Sequence, residues 1–187
     1  MSQNFRPYLS VDLETTGLNT DNFDPQLLEV AIVFDDMGYC NLEEQKTLHL
    51  YIKHEEVVWQ NEEVEKLNKL SAFAAQKDGI PLEEAKILID QFVEECVKLN
   101  DGYDLSIAAK NANALVKNII DKTQILQKGI SYRNIDVPTM YYLDFGYVPS
   151  FQQIAKRTGM EHRGTCLHDA LFIVQAIQRK VFAQLGV

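Results

Sequence analysis

Cysteine is scarce in this 187-residue chain, and its three cysteines lie far apart in the sequence. Cys40, Cys96 and Cys166 form no Cys-x-x-Cys pair, and any pairing of the three leaves one over. A disulfide framework needs an even number of cysteines, and a structural zinc site usually needs closely spaced pairs. Both kinds of site are therefore disfavoured, and the cysteines indicate a reducing compartment, which we take to be the cytoplasm.

Long hydrophobic runs are also missing. The run at residues 30–34 is among the longest, and it is far shorter than the roughly 20 apolar residues of a membrane span. Residues 1–14 contain no apolar signal segment. Hydrophobic residues make up 46% and charged residues 24% of the chain, which disfavours a disordered chain, a collagen-like repeat or a coiled coil. We therefore expect one domain over residues 1–187, with no membrane partner.

Positive charge is scarce in the first half of the chain. Residues 1–100 carry 8 basic and 20 acidic side chains, a net charge of −12, whereas residues 101–187 carry 10 basic and 7 acidic side chains, a net charge of +3. Phosphates attract cations, so only the second half is suited to face a nucleic acid. The acidic half could dock a protein partner, although the charge pattern equally fits a solvated face with no partner.

Five apolar segments predict the strands of a sheet. Residues 8–13 form a short apolar run, residues 27–34 are rich in branched side chains, and residues 47–52 alternate. Short turns separate these three segments and predict an antiparallel meander. Residues 104–109 and 131–137 predict a fourth and a fifth strand.

Apolar residues recur at helical spacing in the rest of the chain. In the first such segment Val64, Leu67, Leu70 and Ala74 have helical spacing. The strands and helices together predict a mixed α/β domain with helices packed on a central sheet. The predicted helices cover residues 62–73, 81–99, Asn111 onward, 150–158 and 167–185.

The most informative stretch is residues 11–18, Val-Asp-Leu-Glu-Thr-Thr-Gly-Leu. Because side chains alternate along a strand, Asp12 and Glu14 would project from one face. Two adjacent carboxylates repel each other, and a hard divalent ion such as Mg²⁺ or Mn²⁺ between them relieves the repulsion. Gly17 then permits a close backbone approach or a positive φ. The plainer alternative is an exposed edge strand with its acidic residues outward.

Further segments follow this one in a recognisable order. They are LEVA at 28–31, AKNANAL at 109–115, YRNIDV at 132–137 and LHDAL at 167–171. Together with the first stretch they resemble the motifs of the DEDD 3′→5′ exonucleases, the ribonuclease-H-like DnaQ-type nucleases that include proofreading exonucleases and oligoribonucleases. The resemblance covers nearly the whole chain and implies a ribonuclease-H-like mixed sheet of about five strands flanked by helices.

The resemblance implies hydrolysis of phosphodiester bonds at the 3′ ends of single-stranded DNA or RNA. In that family two divalent ions bind four carboxylates and activate a water that attacks the terminal phosphodiester. By matching positions, Asp12, Glu14 and Asp169 would hold Mg²⁺ or Mn²⁺, as one or two ions. The implied nucleic-acid contacts are Thr15, Thr16, Gly17, Leu18, Lys110 and Asn111.

Two positions depart from the family pattern. Val116 stands where the family has its third carboxylate, and a register shift by one gives Leu115, which is also aliphatic. Gly164, five residues before Asp169, stands where the family normally has its general base. Losing a carboxylate from a two-ion site should cost orders of magnitude in rate and weakens the expectation of a second ion. His162, in a predicted loop, is a candidate replacement base, with a solvated histidine as the equal alternative.

Three functions are compatible with these features. The first is a metal-dependent 3′→5′ exonuclease with Asp12, Glu14 and Asp169 as ligands and His162 as base. The second is a catalytically inactive relative that binds nucleic-acid ends. The third is a protein-interaction module that docks through the acidic N-terminal half. The motifs favour the first function, and the two missing catalytic groups favour the second.

Overall fold

A five-stranded mixed sheet forms the centre of the protein in the computed structural model, which describes residues 6–38, 42–113 and 117–185. The strand order is β3-β2-β1-β4-β5, with the first three strands antiparallel and the β1–β4 and β4–β5 pairs parallel. The predicted meander is confirmed, and β1 lies in the middle of the sheet rather than at its edge. The strands are β1 (Tyr8–Thr15), β2 (Leu27–Asp35), β3 (Lys46–Tyr51), β4 (Leu105–Ala109) and β5 (Ile130–Asp136).

The predicted helices are present, and the one expected from Asn111 is described from Lys117 onward. Two four-residue helices and a short 3₁₀ helix (Leu42–Glu44) were not predicted, because so few residues cannot show a helical repeat. Within the described ranges, no helix is both long and apolar enough to cross a membrane. The helices are α1 (Glu62–Asp78), α2 (Leu82–Leu99), α3 (Lys117–Thr123), α4 (Val137–Met140), α5 (Tyr142–Phe145), α6 (Phe151–Thr158) and α7 (Cys166–Leu185).

Helices cover both faces of the sheet, so alternate side chains of β1 enter two different cores. Val11 and Leu13 pack in the core that contains α2. Tyr8 packs on the other face with α6 and α7. On that second face the Ser10 hydroxyl donates to the Ala170 carbonyl of α7 at 2.6 Å. Because both faces are covered, every residue of β2 is buried, which explains its nearly continuous apolar sequence.

Small residues, rather than large apolar ones, attach α1 to the rest of the fold. Its buried residues are Ala72 and Ala75. Leu67 and Leu70 are 80% and 83% exposed. The helix predicted from the spacing of these leucines is present, but the leucines themselves do not face the sheet. The helical spacing identified the helix but not the side that faces the sheet, because the alanines fit a helical period as well.

Replacing Ile89 with alanine is expected to lower the free energy of unfolding by about 2–5 kcal/mol, because the change leaves a cavity in a close-packed core. Ile89 is fully buried in α2, whereas Ile87, two residues earlier, is 59% exposed. Ile87→Ala is the matched control and should change the stability by less than about 0.5 kcal/mol. Chemical denaturation measures both variants. Equal losses would contradict the orientation of α2.

Candidate active site

The strand β1 presents Asp12 and Glu14 on the sheet face that α7 covers. Leu13, between them, points into the opposite core and is 6% exposed. In the neighbouring strand β2, the residue paired with Glu14 is Glu29. The predicted alternation is therefore confirmed, and a third carboxylate lies on the same face. The alternative of an exposed edge strand is wrong, because β1 has a partner strand on each side.

The first turn of α7 crosses this face beside Asp12. The Cys166 thiol donates to the Asp12 carbonyl at 3.1 Å, and Ser10 bonds Ala170 four residues further along the helix. Asp169 lies between these two anchor points, in the first turn of α7. The structure therefore brings the three predicted ligands, from opposite ends of the chain, into one acidic cluster, which consists of Asp12, Glu14 and Asp169.

Burial and mutual repulsion raise the pKa of two carboxyl groups in this cluster. Burial raises the pKa of Asp12 well above its usual value, and the charges of Glu14 and Asp169 add to the effect. The pKa of Glu14 is raised from 4.5 to about 7. Burial is the largest cause, and the negative charges of Glu29 and Asp169 raise the pKa further. Lys110 opposes both shifts. A cation placed among these carboxyls would relieve the repulsion.

His162 lies directly beside Asp169. Its Nε2 atom is 3.0 Å from Oδ1 of Asp169, and the two side chains are 12% and 13% exposed. The imidazole packs edge-on against Phe151 and Phe172, at centroid distances of 5.8 and 5.3 Å. Neither buried atom of the close pair has a hydrogen bond of good geometry. The predicted loop therefore bends inward, and the alternative of a solvated histidine is wrong.

Two further residues near Asp169 in the sequence, Gly164 and His168, do not reach its carboxylate. Gly164 has a φ of 65°, in the left-handed region that favours glycine. His168 contacts Thr165 Oγ1 through Nδ1 at 2.7 Å and Arg163 through Nε2 at 3.2 Å. Of the two histidines near Asp169 in the sequence, His162 is thus the one whose side chain reaches it. The departures at Val116 and Leu115 lie outside the described residues.

The turn at residues 15–18 is held tightly by polar contacts. Thr15 donates its hydroxyl to the Gly17 carbonyl at 2.7 Å, and the Thr16 hydroxyl accepts from the backbone of Gln26 at 2.9 Å. Both threonines are buried. Their side chains therefore stabilise the turn, whereas Leu18, which is 57% exposed, remains open to a ligand.

Gly17 is required for a close approach rather than for a positive φ. A Cβ atom at this position would lie 2.6 Å from Cβ of Gln60. Gln60 also accepts a hydrogen bond from the backbone N–H of Leu18 at 2.9 Å. Of the two roles considered for Gly17, the structure supports the close approach.

Lys110 and Asn111 follow the end of β4. The Lys110 ammonium lies 5.5 Å from the ring centroid of Phe151, the residue that also packs against His162. Asn111 is exposed and has a φ of 55°. Lys110 is therefore the cation of this segment that lies near the acidic cluster.

Glu29 was not predicted as a site residue. Its side chain is 6% exposed, and its Oε1 atom lies 2.6 Å from Nε2 of His49. Its charge contributes to the raised pKa of Glu14. The available signal was a single acidic residue inside the apolar segment 27–34, because a buried charge is normally paired or functional.

The chemistry of these donors fits a hard divalent ion. Carboxylate oxygens are the ligands that Mg²⁺ and Mn²⁺ prefer, and Oδ1 of Asp169 is buried with no hydrogen bond of good geometry. Within residues 6–38, 42–113 and 117–185, no three metal-ligating side chains already stand at coordinating distances. The cluster therefore has suitable donors without a closed ligand cage.

Solved structures identify the fold. The nuclease domain of 3′hExo, a DEDDh family member bound to rAMP, matches with a TM-score of 0.66 and 16% identity over 100% of this chain and 94% of that one. S. pombe Pop2p, in its Mg²⁺- and Mn²⁺-bound form, matches with a TM-score of 0.64 and 12% identity over 96% and 84%. This chain has the ribonuclease-H-like fold of the DEDD 3′→5′ exonucleases. The predicted fold class is confirmed.

The DEDD fold also matches exonuclease I from Methylocaldum szegediense, with a TM-score of 0.66 and 14% identity over 97% of this chain and 41% of that one. At these identities the likeness concerns the fold alone. No protein-family model and no curated protein matches the sequence.

In metal-free buffer, the protein should lose stability through Glu14 as the pH rises. The pKa of Glu14 is about 7 in the folded protein against 4.5 ordinarily, so the folded state binds more protons between these values. Stability is therefore highest below pH 4.5 with respect to this group and falls until the pH exceeds 7, by on the order of 3 kcal/mol.

The variant Glu14→Gln tests this pH dependence. With EDTA at pH 8, the variant should be more stable than the unchanged protein in chemical denaturation, because its neutral amide avoids the repulsion. The exposed Glu55 supplies the control, since Glu55→Gln should have almost no effect. A less stable Glu14→Gln protein at pH 8 would show that the carboxylate is not repelled.

Proposed function

We propose that the protein is a metal-dependent 3′→5′ exonuclease that acts on single-stranded DNA or RNA. The observation that carries this proposal is the gathering of Asp12, Glu14 and Asp169 in one partly buried cluster, with His162 at 3.0 Å from Asp169. This arrangement supplies ion ligands and a base at the same point, which is what phosphodiester hydrolysis requires. The fold shared with 3′hExo and exonuclease I supports the same reaction class.

Asp12, Glu14 and Asp169 would hold the ion, Mg²⁺ or Mn²⁺, through carboxylate oxygens. When bound, the ion supplies a Lewis acid that acidifies water and stabilises negative charge on the phosphate. The likeness to Pop2p, whose structure contains Mg²⁺ and Mn²⁺, supports this choice of ion. We propose one ion at this cluster, because Val116 supplies no carboxylate for a second.

His162 would remove the proton from the attacking water. The water oxygen forms the new bond to phosphorus, the bond from phosphorus to the 3′ oxygen of the preceding nucleotide breaks, and that oxygen takes up a proton. The products are a nucleoside monophosphate and a shortened strand. Phe151 and Phe172 hold the imidazole beside Asp169, so its orientation is set before substrate arrives.

The terminal nucleotide would lie against the turn at residues 15–18. Leu18 offers an exposed apolar surface there, while the backbone of Thr15, Thr16 and Gly17 forms the wall of the turn. Lys110 and Asn111 would contact phosphate or sugar, because Lys110 is a cation close to the acidic cluster.

We further propose that residues 1–187 act as one domain in the cytoplasm. Cys96 and Cys166 are both free and buried, as expected in a reducing compartment. The Cys166 thiol donates a hydrogen bond to the backbone carbonyl of Asp12, so a free thiol at this position helps to hold α7 against β1.

With Mn²⁺, the purified protein should shorten a 5′-labelled oligonucleotide one nucleotide at a time from its 3′ end. Asp12→Asn should slow the reaction by about 10³-fold, because it removes the negative charge of a ligand from an ion that contributes several kcal/mol to the transition state. Asp104→Asn, at an exposed position, is the control and should retain full activity. DNA and RNA oligonucleotides of the same sequence, run in parallel, identify the preferred substrate.

Other results of this assay would support the alternatives. Activity that survives Asp12→Asn would exclude this cluster as the site. Retarded but uncleaved oligonucleotide, with cleavage gained in Val116→Asp, would support the inactive relative that binds nucleic-acid ends. A protein that neither binds nor cleaves, but loses a co-purified partner on charge reversal in residues 55–65, would support the interaction module.

His162→Ala should lower the rate of cleavage by about 10²-fold or more, since it removes the proposed base. His168→Ala is the matched control, because His168 is bound to Thr165 and Arg163 instead of the cluster. Melting curves with and without Mn²⁺ separate catalysis from ion binding, since a bound ion raises the melting temperature. Equal activity in the two histidine variants would contradict the assigned base.

A further inference from the structure

The helix α1 exposes its largest apolar side chains on one side. Leu67, Leu70 and Phe73 are 80%, 83% and 69% exposed, and their spacing of three residues places them in one apolar stripe. Ala72 and Ala75 are the buried residues of this helix. At 100° per residue, Leu70 lies opposite these alanines and therefore points away from the sheet. An exposed apolar stripe of this kind marks an interaction surface.

We propose that the apolar stripe joins two copies of this chain, with α1 of one copy antiparallel to α1 of the other. The two-fold axis would pass beside Leu70, so that each Leu70 meets its equivalent. Residues at equal distances on either side of Leu70 then face each other, and Leu67 of each copy meets Phe73 of the other. A two-fold interface of this type needs a surface that complements itself.

The charges of α1 that lie nearest Leu70 around the helix axis satisfy this requirement in the antiparallel arrangement. Glu63 and Lys77 lie seven residues before and after Leu70, each within about 20° of it around the helix axis. The two-fold axis therefore places Glu63 of each copy opposite Lys77 of the other, which forms two ion pairs. Glu62 and Asp78 also occupy matching positions, but each lies about 80° from Leu70 around the helix axis, so these two carboxylates meet only at the edge of the contact.

The same charges disfavour the other arrangements. The first turn of α1 carries three glutamates, and the basic residue of the last turn is Lys77. A parallel pair would bring the glutamates of both copies together. A nucleic acid on this surface would place phosphates near the same glutamates, which repel them. The second copy of the chain is therefore the occupant that the charge pattern favours.

The pairing would leave the acidic cluster accessible and does not depend on the proposed activity. Asn68, on the buried side of α1, donates through Nδ2 to the Thr15 carbonyl at 2.7 Å. The apolar stripe lies on the opposite side of the helix from this contact. Each copy would thus keep its own open site, and variants in the stripe should retain the nuclease activity of the unchanged protein.

Light scattering after size-exclusion chromatography tests the pairing. At high micromolar concentration the protein should have twice the 21.4 kDa mass of one chain. Leu70→Glu should give the mass of a single chain, because the two-fold axis brings the introduced carboxylates together. Leu143, which is 91% exposed on α5, provides the matched control, and Leu143→Glu should keep the doubled mass. Circular dichroism confirms that each variant is folded.

A charge exchange tests the antiparallel geometry itself. Lys77→Glu should raise the dissociation constant by about tenfold or more, because two attractive pairs become repulsive. Adding Glu63→Lys to the same chain should restore the original value. A single-chain mass for the unchanged protein, a doubled mass in Leu70→Glu, a failed restoration, or association only with an oligonucleotide would each overturn the proposal.

Discussion

The contact between β1 and the first turn of α7 is the constraint on which the site depends. Ser10 and Asp12 of the strand each bond this part of α7, one through its hydroxyl and one through its carbonyl. These contacts hold Asp169 among carboxyl groups that repel it, and burial makes the repulsion more costly. The repulsion lowers the free energy of unfolding, and packing elsewhere in the fold must compensate for this loss. Such a costly cluster is typical of a functional site rather than of a structural core.

The strands and long helices could be predicted from the sequence, because their apolar side chains recur at a regular spacing. The alternation of β1 determines that Asp12 and Glu14 share a face and that Leu13 lies in the opposite core. The order of apolar segments and short turns was enough for the meander and the main helices. The four-residue helices α4 and α5 could not be predicted, since they contain about one helical turn each.

Features set by contacts between distant residues were missed or left open. Spacing along the chain points to Gly164, but the backbone turns through a left-handed conformation there and His162 reaches Asp169 instead. Glu29 acquires its role from Glu14 on one neighbouring strand and His49 on the other, which no local pattern reveals. The orientation of α1 had the same difficulty, since periodicity does not identify the face that packs.

Charge balance makes one ion at the cluster more reasonable than two. Lys110 already contributes a positive charge, as its opposition to the raised pKa values of Asp12 and Glu14 indicates. Glu29 is engaged by His49, so its carboxylate is not free to compensate for the aliphatic Val116. Three remaining carboxylates beside a lysine attract a second divalent ion much less than four carboxylates would. Asp12, Glu14 and Asp169 would thus hold a single ion that supplies Lewis-acid chemistry, and His162 beside Asp169 would accept the proton of the attacking water.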